Sequence, residues 1–135
     1  MSDLLNKKCV SCEGGILPFD ISEIHKYQKK VDGWDVRENE KKIYFLEKKF
    51  IFKNFINSLD FINKVGEISE GEGHHPDISF GWGYAKIVIT THVIEGLSEN
   101  DFILAARIKS FSDNPFIACV VIIIFAYPHP KEISG

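Results

Sequence analysis

The periodicity of apolar positions changes along the chain, and each change marks an element. From Ile51 onward, Phe52, Phe55, Ile56, Leu59, Ile62 and Val65 recur at steps of three and four, which makes one face of an amphipathic helix that Gly71 and Gly73 bring to an end. Ahead of it, Trp34 to Arg37 and Lys42 to Phe50 read as two strands flanking Glu38-Asn39-Glu40, a polar link of hairpin size, and so pair antiparallel. An earlier helix is predicted over 21–31. Asp20 and Glu23 have the spacing of a capping box, Ile21, Ile24, Gln28 and Val31 trace a partly apolar stripe, and Asp32-Gly33 stops it.

Beyond the central helix the alternation becomes strict: Ile78, Phe80, Trp82 and Tyr84 point one way, while Ser79, Gly81 and Gly83 point the other. Lys86 to His92 is predicted as the next strand, after a turn near Gly83-Tyr84-Ala85. Val88, Thr90 and His92 share one of its faces and Ile87, Ile89 and Thr91 the reverse, so His92 ends the strand. Ser98 then caps a helix running to about Ser110, with Asp101 in its first turn at the positive end of the helix dipole. The order α-β-β-α-β-β-α leaves no spacing for parallel crossovers. It predicts an α+β domain, a four-stranded antiparallel sheet with helices packed on one face. The other face, bare at Gly81 and Gly83, is free for a ligand or another subunit.

This divides the chain into an irregular lead-in over 1–19, a domain over 20–110 and a hydrophobic C-terminal extension over 111–135. In the extension, Phe116 to Tyr127 is a β-branched run shorter than the roughly 20 residues a membrane-spanning helix needs. It is expected to form an extra strand or a buried interface segment, with a poorly ordered or aggregation-prone extension as the alternative, and no membrane insertion.

Composition narrows the class. A content of 44% hydrophobic residues with 11 Phe supplies one core for 135 residues. A net charge of −3 and scattered Lys and Arg give no basic field for nucleic acid. The N-terminus MSDLLNKKCV has no apolar signal-peptide core, and three cysteines cannot all pair within the chain. A reducing, cytoplasmic setting is expected, with a nuclear or organellar pool left open. Cys9 and Cys12 have the spacing of a redox or half-zinc motif but no second pair, so unligated thiols are expected.

Chemistry concentrates in the stretch EGEGHHPDISFGWGYAKIVITTHVIEGLSEND, which carries three of the five histidines, His74, His75 and His92. Histidine both gives and takes a proton near neutrality, so their convergence points to proton transfer. A shared metal is disfavoured, because adjacent side chains such as His74 and His75 point to opposite sides of an extended chain.

The spacing Glu70, three residues, His74-His75-Pro76, five residues, Trp82, nine residues, His92, eight residues, Asp101 resembles the signature of the pterin-4a-carbinolamine dehydratases. The similarity extends to GLSENDF and to KKCVSCEGG, covering about residues 7 to 110. It implies dehydration of 4a-hydroxytetrahydrobiopterin to quinonoid dihydropterin by a hydro-lyase, which recycles the tetrahydrobiopterin used by aromatic amino-acid hydroxylases. That reaction needs no cofactor: an acid protonates the departing hydroxyl while a base removes the nitrogen proton.

By the resemblance, His74 and His92 are the catalytic acids and bases. His75 holds the substrate and shares in proton transfer, and Glu70, Trp82 and Asp101 complete the binding site. From the residues alone, Glu70 either orients a histidine or ends a helix. Asp101 reads as a cap, and Trp82 as core packing more than as a stacking platform. The family implies a homodimer or homotetramer. It also offers a second reading, a non-enzymatic dimerisation cofactor of a homeodomain transcription factor, and a third, a diverged homologue with another role.

Overall fold

A computed structural model describes residues 3–9 and 16–113. Cys12 and the run Phe116 to Tyr127 lie outside the described residues, as do both glycines of the lead-in, Gly14 and Gly15. Among the described residues the elements are α1 (Ile21–Gln28), β1 (Asp35–Glu38), β2 (Tyr44–Ile51), α2 (Phe55–Glu72), β3 (Asp77–Gly81), β4 (Tyr84–Ile89) and α3 (Glu99–Ser112). The strands form one antiparallel sheet in the order β1-β2-β4-β3, so the expected α+β architecture stands.

Local chemistry accounts for the boundaries. The backbone N–H of Glu23 donates to Asp20 Oδ1 at 2.9 Å, the predicted cap of α1. That helix stops three residues earlier than expected, because tight turns (Val31 N–H to Gln28 O, 3.1 Å) drop Val31 and Trp34 into the core. The β1–β2 link is also longer than Glu38-Asn39-Glu40. Asn39 Oδ1 accepts from the backbone of Lys41 and Ile43, and Lys42 takes a left-handed φ of 63°.

α2 begins one turn later than its apolar pattern suggests. Phe52 remains extended and donates its N–H to Gly83 O, while Asn54 caps the helix by accepting from Asn57 at 2.8 Å. The inward stripe is therefore Ser58, Phe61, Val65 and Ser69, and Phe55 and Ile56 stay exposed. Small residues let the helix lie close to the sheet: Ser58 Oγ donates to Gly81 O on β3 at 2.9 Å.

The β3–β4 hairpin differs most. Gly81 pairs with Tyr84 across a turn of Trp82 and Gly83, where Gly83 adopts φ 79°. The apolar alternation thus runs through a turn, and Tyr84 opens β4 instead of closing β3. Trp82, expected in the core, stands at the turn tip, 47% exposed. Ile78, Phe80, Ala85, Ile87 and Ile89 face the helices, whereas Ser79, Gly81, Tyr84, Lys86 and Val88 lie on the open face.

β4 ends at Ile89, not at His92. Thr91 makes a single bridge to Gly96, and His92 opens a 3-10 turn, His92–Ile94, inside that loop. α3 lies at the centre of the helical layer: every residue from Asn100 to Ala106 is buried, and so is Ile108. Against it packs a feature the lead-in pattern does not announce, a 3-10 turn over Asp3–Asn6 with Leu4 fully buried. Among the described residues no helix is long and apolar enough to cross a membrane.

Candidate active site

The C-terminus of α2 sets the site. Gly73 takes φ 66° as the left-handed cap, and the chain turns back so that His74 donates its N–H to Ser69 O at 3.2 Å. Only a residue tolerant of positive φ makes that reversal without strain. His74 then turns inward and His75 outward, with side chains 13% and 63% exposed.

His74 meets the start of α3. Its Nε2 lies 2.6 Å from Asp101 Oδ1, and Asp101 is fully buried. The second carboxylate oxygen is also engaged: Asp101 Oδ2 accepts from Thr91 Oγ1 at 2.7 Å and from the Ser98 backbone N–H at 2.8 Å. One side chain therefore caps α3, ties down the loop after β4 and holds a histidine. A buried carboxylate needs such compensation.

The other two histidines have looser carboxylate partners. His75 Nε2 is 2.8 Å from Glu70 Oε1, while His92 Nε2 is 4.0 Å from Asp77 Oδ2, and all four side chains are largely exposed. Glu70 belongs to the last turn of α2 and also contacts His75. The histidines gather around one concavity of about 400 Å³ at the end of the β3–β4 hairpin, where Cys9, Glu72, His74, His75, Thr90 and His92 contribute to its wall. Trp82 is not part of that wall, and Asp101 stands behind it, covered by His74.

Sequence reasoning missed Thr91 and Glu72 as parts of this arrangement, and took Ser98 only as a cap and Cys9 only as a free thiol. The pairing of Ser98 with Asp101 was readable in the capping spacing; the others are joined across long stretches of chain that no local pattern reports. Among the described residues no group of three His, Cys, Asp or Glu side chains is placed to hold a metal ion.

The family model described as pterin 4 alpha carbinolamine dehydratase matches residues 18–111. A relative from Rubrobacter xylanophilus, provisionally named pterin-4-alpha-carbinolamine dehydratase, is 44% identical over 108 residues, covering 80% of this chain and 97% of its own. One from Halorhodospira halophila with the same provisional name is 47% identical over 107 residues, covering 79% and 95%. A solved structure of a transcriptional coactivator/pterin dehydratase from Brucella melitensis superposes with a TM-score of 0.61 at 22% identity, over 69% of this chain and 96% of that one, which speaks to the fold alone. A pterin dehydratase-like protein identified as a RuBisCO assembly factor in the alpha-carboxysome superposes with a TM-score of 0.50 at 25% identity, over 59% and 89%.

Proposed function

The chain belongs to the pterin 4 alpha carbinolamine dehydratase family, and we propose that it dehydrates a 4a-hydroxytetrahydropterin, such as 4a-hydroxytetrahydrobiopterin, in tetrahydrobiopterin recycling. The observation that carries this reading is one shallow concavity ringed by three histidines, each beside a carboxylate. The substrate is a carbinolamine: its carbon–oxygen bond breaks as the hydroxyl takes a proton and leaves as water, and the adjacent nitrogen forms a double bond to that carbon and loses its own proton. The reaction needs an acid and a base on a flat ligand, which paired histidines supply.

His74 and His92 are assigned these roles. Asp101 accepts hydrogen bonds from two other groups, so His74 carries its proton on Nε2 toward the carboxylate and keeps Nδ1 for proton exchange. Asp101 is thus a positioning residue, out of reach of the ligand. His92 and His75, on exposed edges, meet the pterin from the rim. Glu70 supports His75.

The test is direct. Freshly generated 4a-hydroxytetrahydropterin is mixed with protein and the absorbance followed to quinonoid product. Wild type is expected to accelerate the step, and His74→Ala and His92→Ala to lose most of that acceleration. A wild-type rate equal to that of buffer removes the enzymatic reading and leaves a binding role.

A further inference from the structure

The segment ahead of the matched range 18–111 is fastened to the body at several points. Leu4 is fully buried in the core. Lys7 Nζ reaches Glu99 at 2.6 Å, and Arg107 Nη2 donates to the backbone oxygen of Lys7 at 2.8 Å. Arg107 also lies against Glu72, with Nε 2.7 Å from Oε2 as a charge contact rather than an aligned hydrogen bond. The other oxygen of Glu72 accepts from the Cys9 backbone N–H at 3.1 Å, and Cys9 Sγ donates to Asn100 O at 3.5 Å.

Glu72 is poorly placed for any other purpose. It ends α2, where a negative charge opposes the helix dipole, and its side chain is only 11% exposed. A carboxylate in that position is held by its partners. Those partners bring Cys9 into the wall that also contains His74 and Asn100.

We propose that the Arg107–Glu72 pair is a clamp that holds residues 7–9 against the catalytic concavity, and that Cys9 so positioned is a wall residue limiting which pterins fit beside His74. The second half rests on the pterin binding that the proposed function assigns to this concavity, not on its turnover; the clamp rests on neither. Burial, and then the Glu72 carboxylate, push the Cys9 thiol up to about 12, so it stands in the wall as a neutral group and not as a nucleophile.

The experiment uses the full chain with Cys12→Ser and Cys119→Ser, so that iodoacetamide labelling followed by mass spectrometry reads Cys9 alone. Arg107→Ala is expected to speed labelling at neutral pH by about tenfold, and Arg107→Lys to restore part of the protection. Equal labelling of parent and Arg107→Ala, in proteins that both melt cooperatively, overturns the clamp. Cys9→Leu is expected to raise the dissociation constant of a stable 7,8-dihydropterin, and the substrate KM, by about tenfold with kcat within about twofold. Unchanged binding in folded Cys9→Leu, or no dihydropterin binding by the parent, overturns the wall. Absence of turnover by the parent, with binding and the labelling contrast intact, removes the assigned reaction while both parts of this inference stand.

Discussion

His74 and His75 are neighbours in the chain and both face a carboxylate at hydrogen-bonding distance, yet their surroundings are opposite. The His74–Asp101 pair is sealed, with side chains 13% and 0% exposed and both carboxylate oxygens occupied. The His75–Glu70 pair stands in water, 63% and 82% exposed, and the His92–Asp77 pair is as open and longer, at 4.0 Å. Charge interactions strengthen as water is excluded and fade under solvent and salt. One pair is therefore built into the protein, and two are left adjustable at its rim. A site that grips a flat ligand can use both: a fixed histidine that sets geometry, and outer histidines that adapt as the ligand enters.

The strongest way to break this comparison is His74→Ala, which removes the fixed member. Turnover of 4a-hydroxytetrahydropterin is expected to fall by about 10² to 10⁴, the usual worth of a general acid; a loss below about fivefold shows that the exposed histidines carry the chemistry. Next is Asp101→Ala, which strands the Thr91 hydroxyl, the Ser98 N–H and the His74 ring nitrogen at once. Each orphaned buried group costs about 1–3 kcal/mol, so denaturant unfolding should show a loss on the order of 3 kcal/mol or more. A stability equal to wild type contradicts the buried assignment. Smallest is Glu70→Gln, expected to change unfolding free energy by less than about 1 kcal/mol, as exposed ion pairs do. Asp77→Asn should do less still, and a drop in either comparable to Asp101→Ala erases the distinction between sealed and open pairs.

What the sequence showed was whatever repeats locally. The cap of α1, the antiparallel pairs and the existence of three helices follow from spacing, and the histidine cadence singled out three side chains that line one concavity. The hairpin boundary was hidden because Ile78, Phe80, Trp82 and Tyr84 keep perfect alternation through a turn whose only marker is the pair of glycines around Trp82. His92 was placed on a strand because a β-branched run leads into it without a break. Asp101 was read as a cap, which it is, but its grip on His74 joins residues far apart in sequence. The contact of Cys9 with Glu72 is of the same kind. Periodicity reports which face a residue occupies, never which distant residue it meets there.

The sheet order carries a consequence for how the chain assembles. β1 with β2, and β3 with β4, are local hairpins that close through short links, but β2 reaches β4 only after all of α2 and β3 have been threaded between them. Closing so long a loop costs entropy before its contacts reward it. The seam from Leu46 with Ile89 to Ile51 with Tyr84 is thus the natural bottleneck of folding. The three histidines flank the β3–β4 hairpin and so come together with that local pairing, ahead of the slower seam beside which the concavity sits.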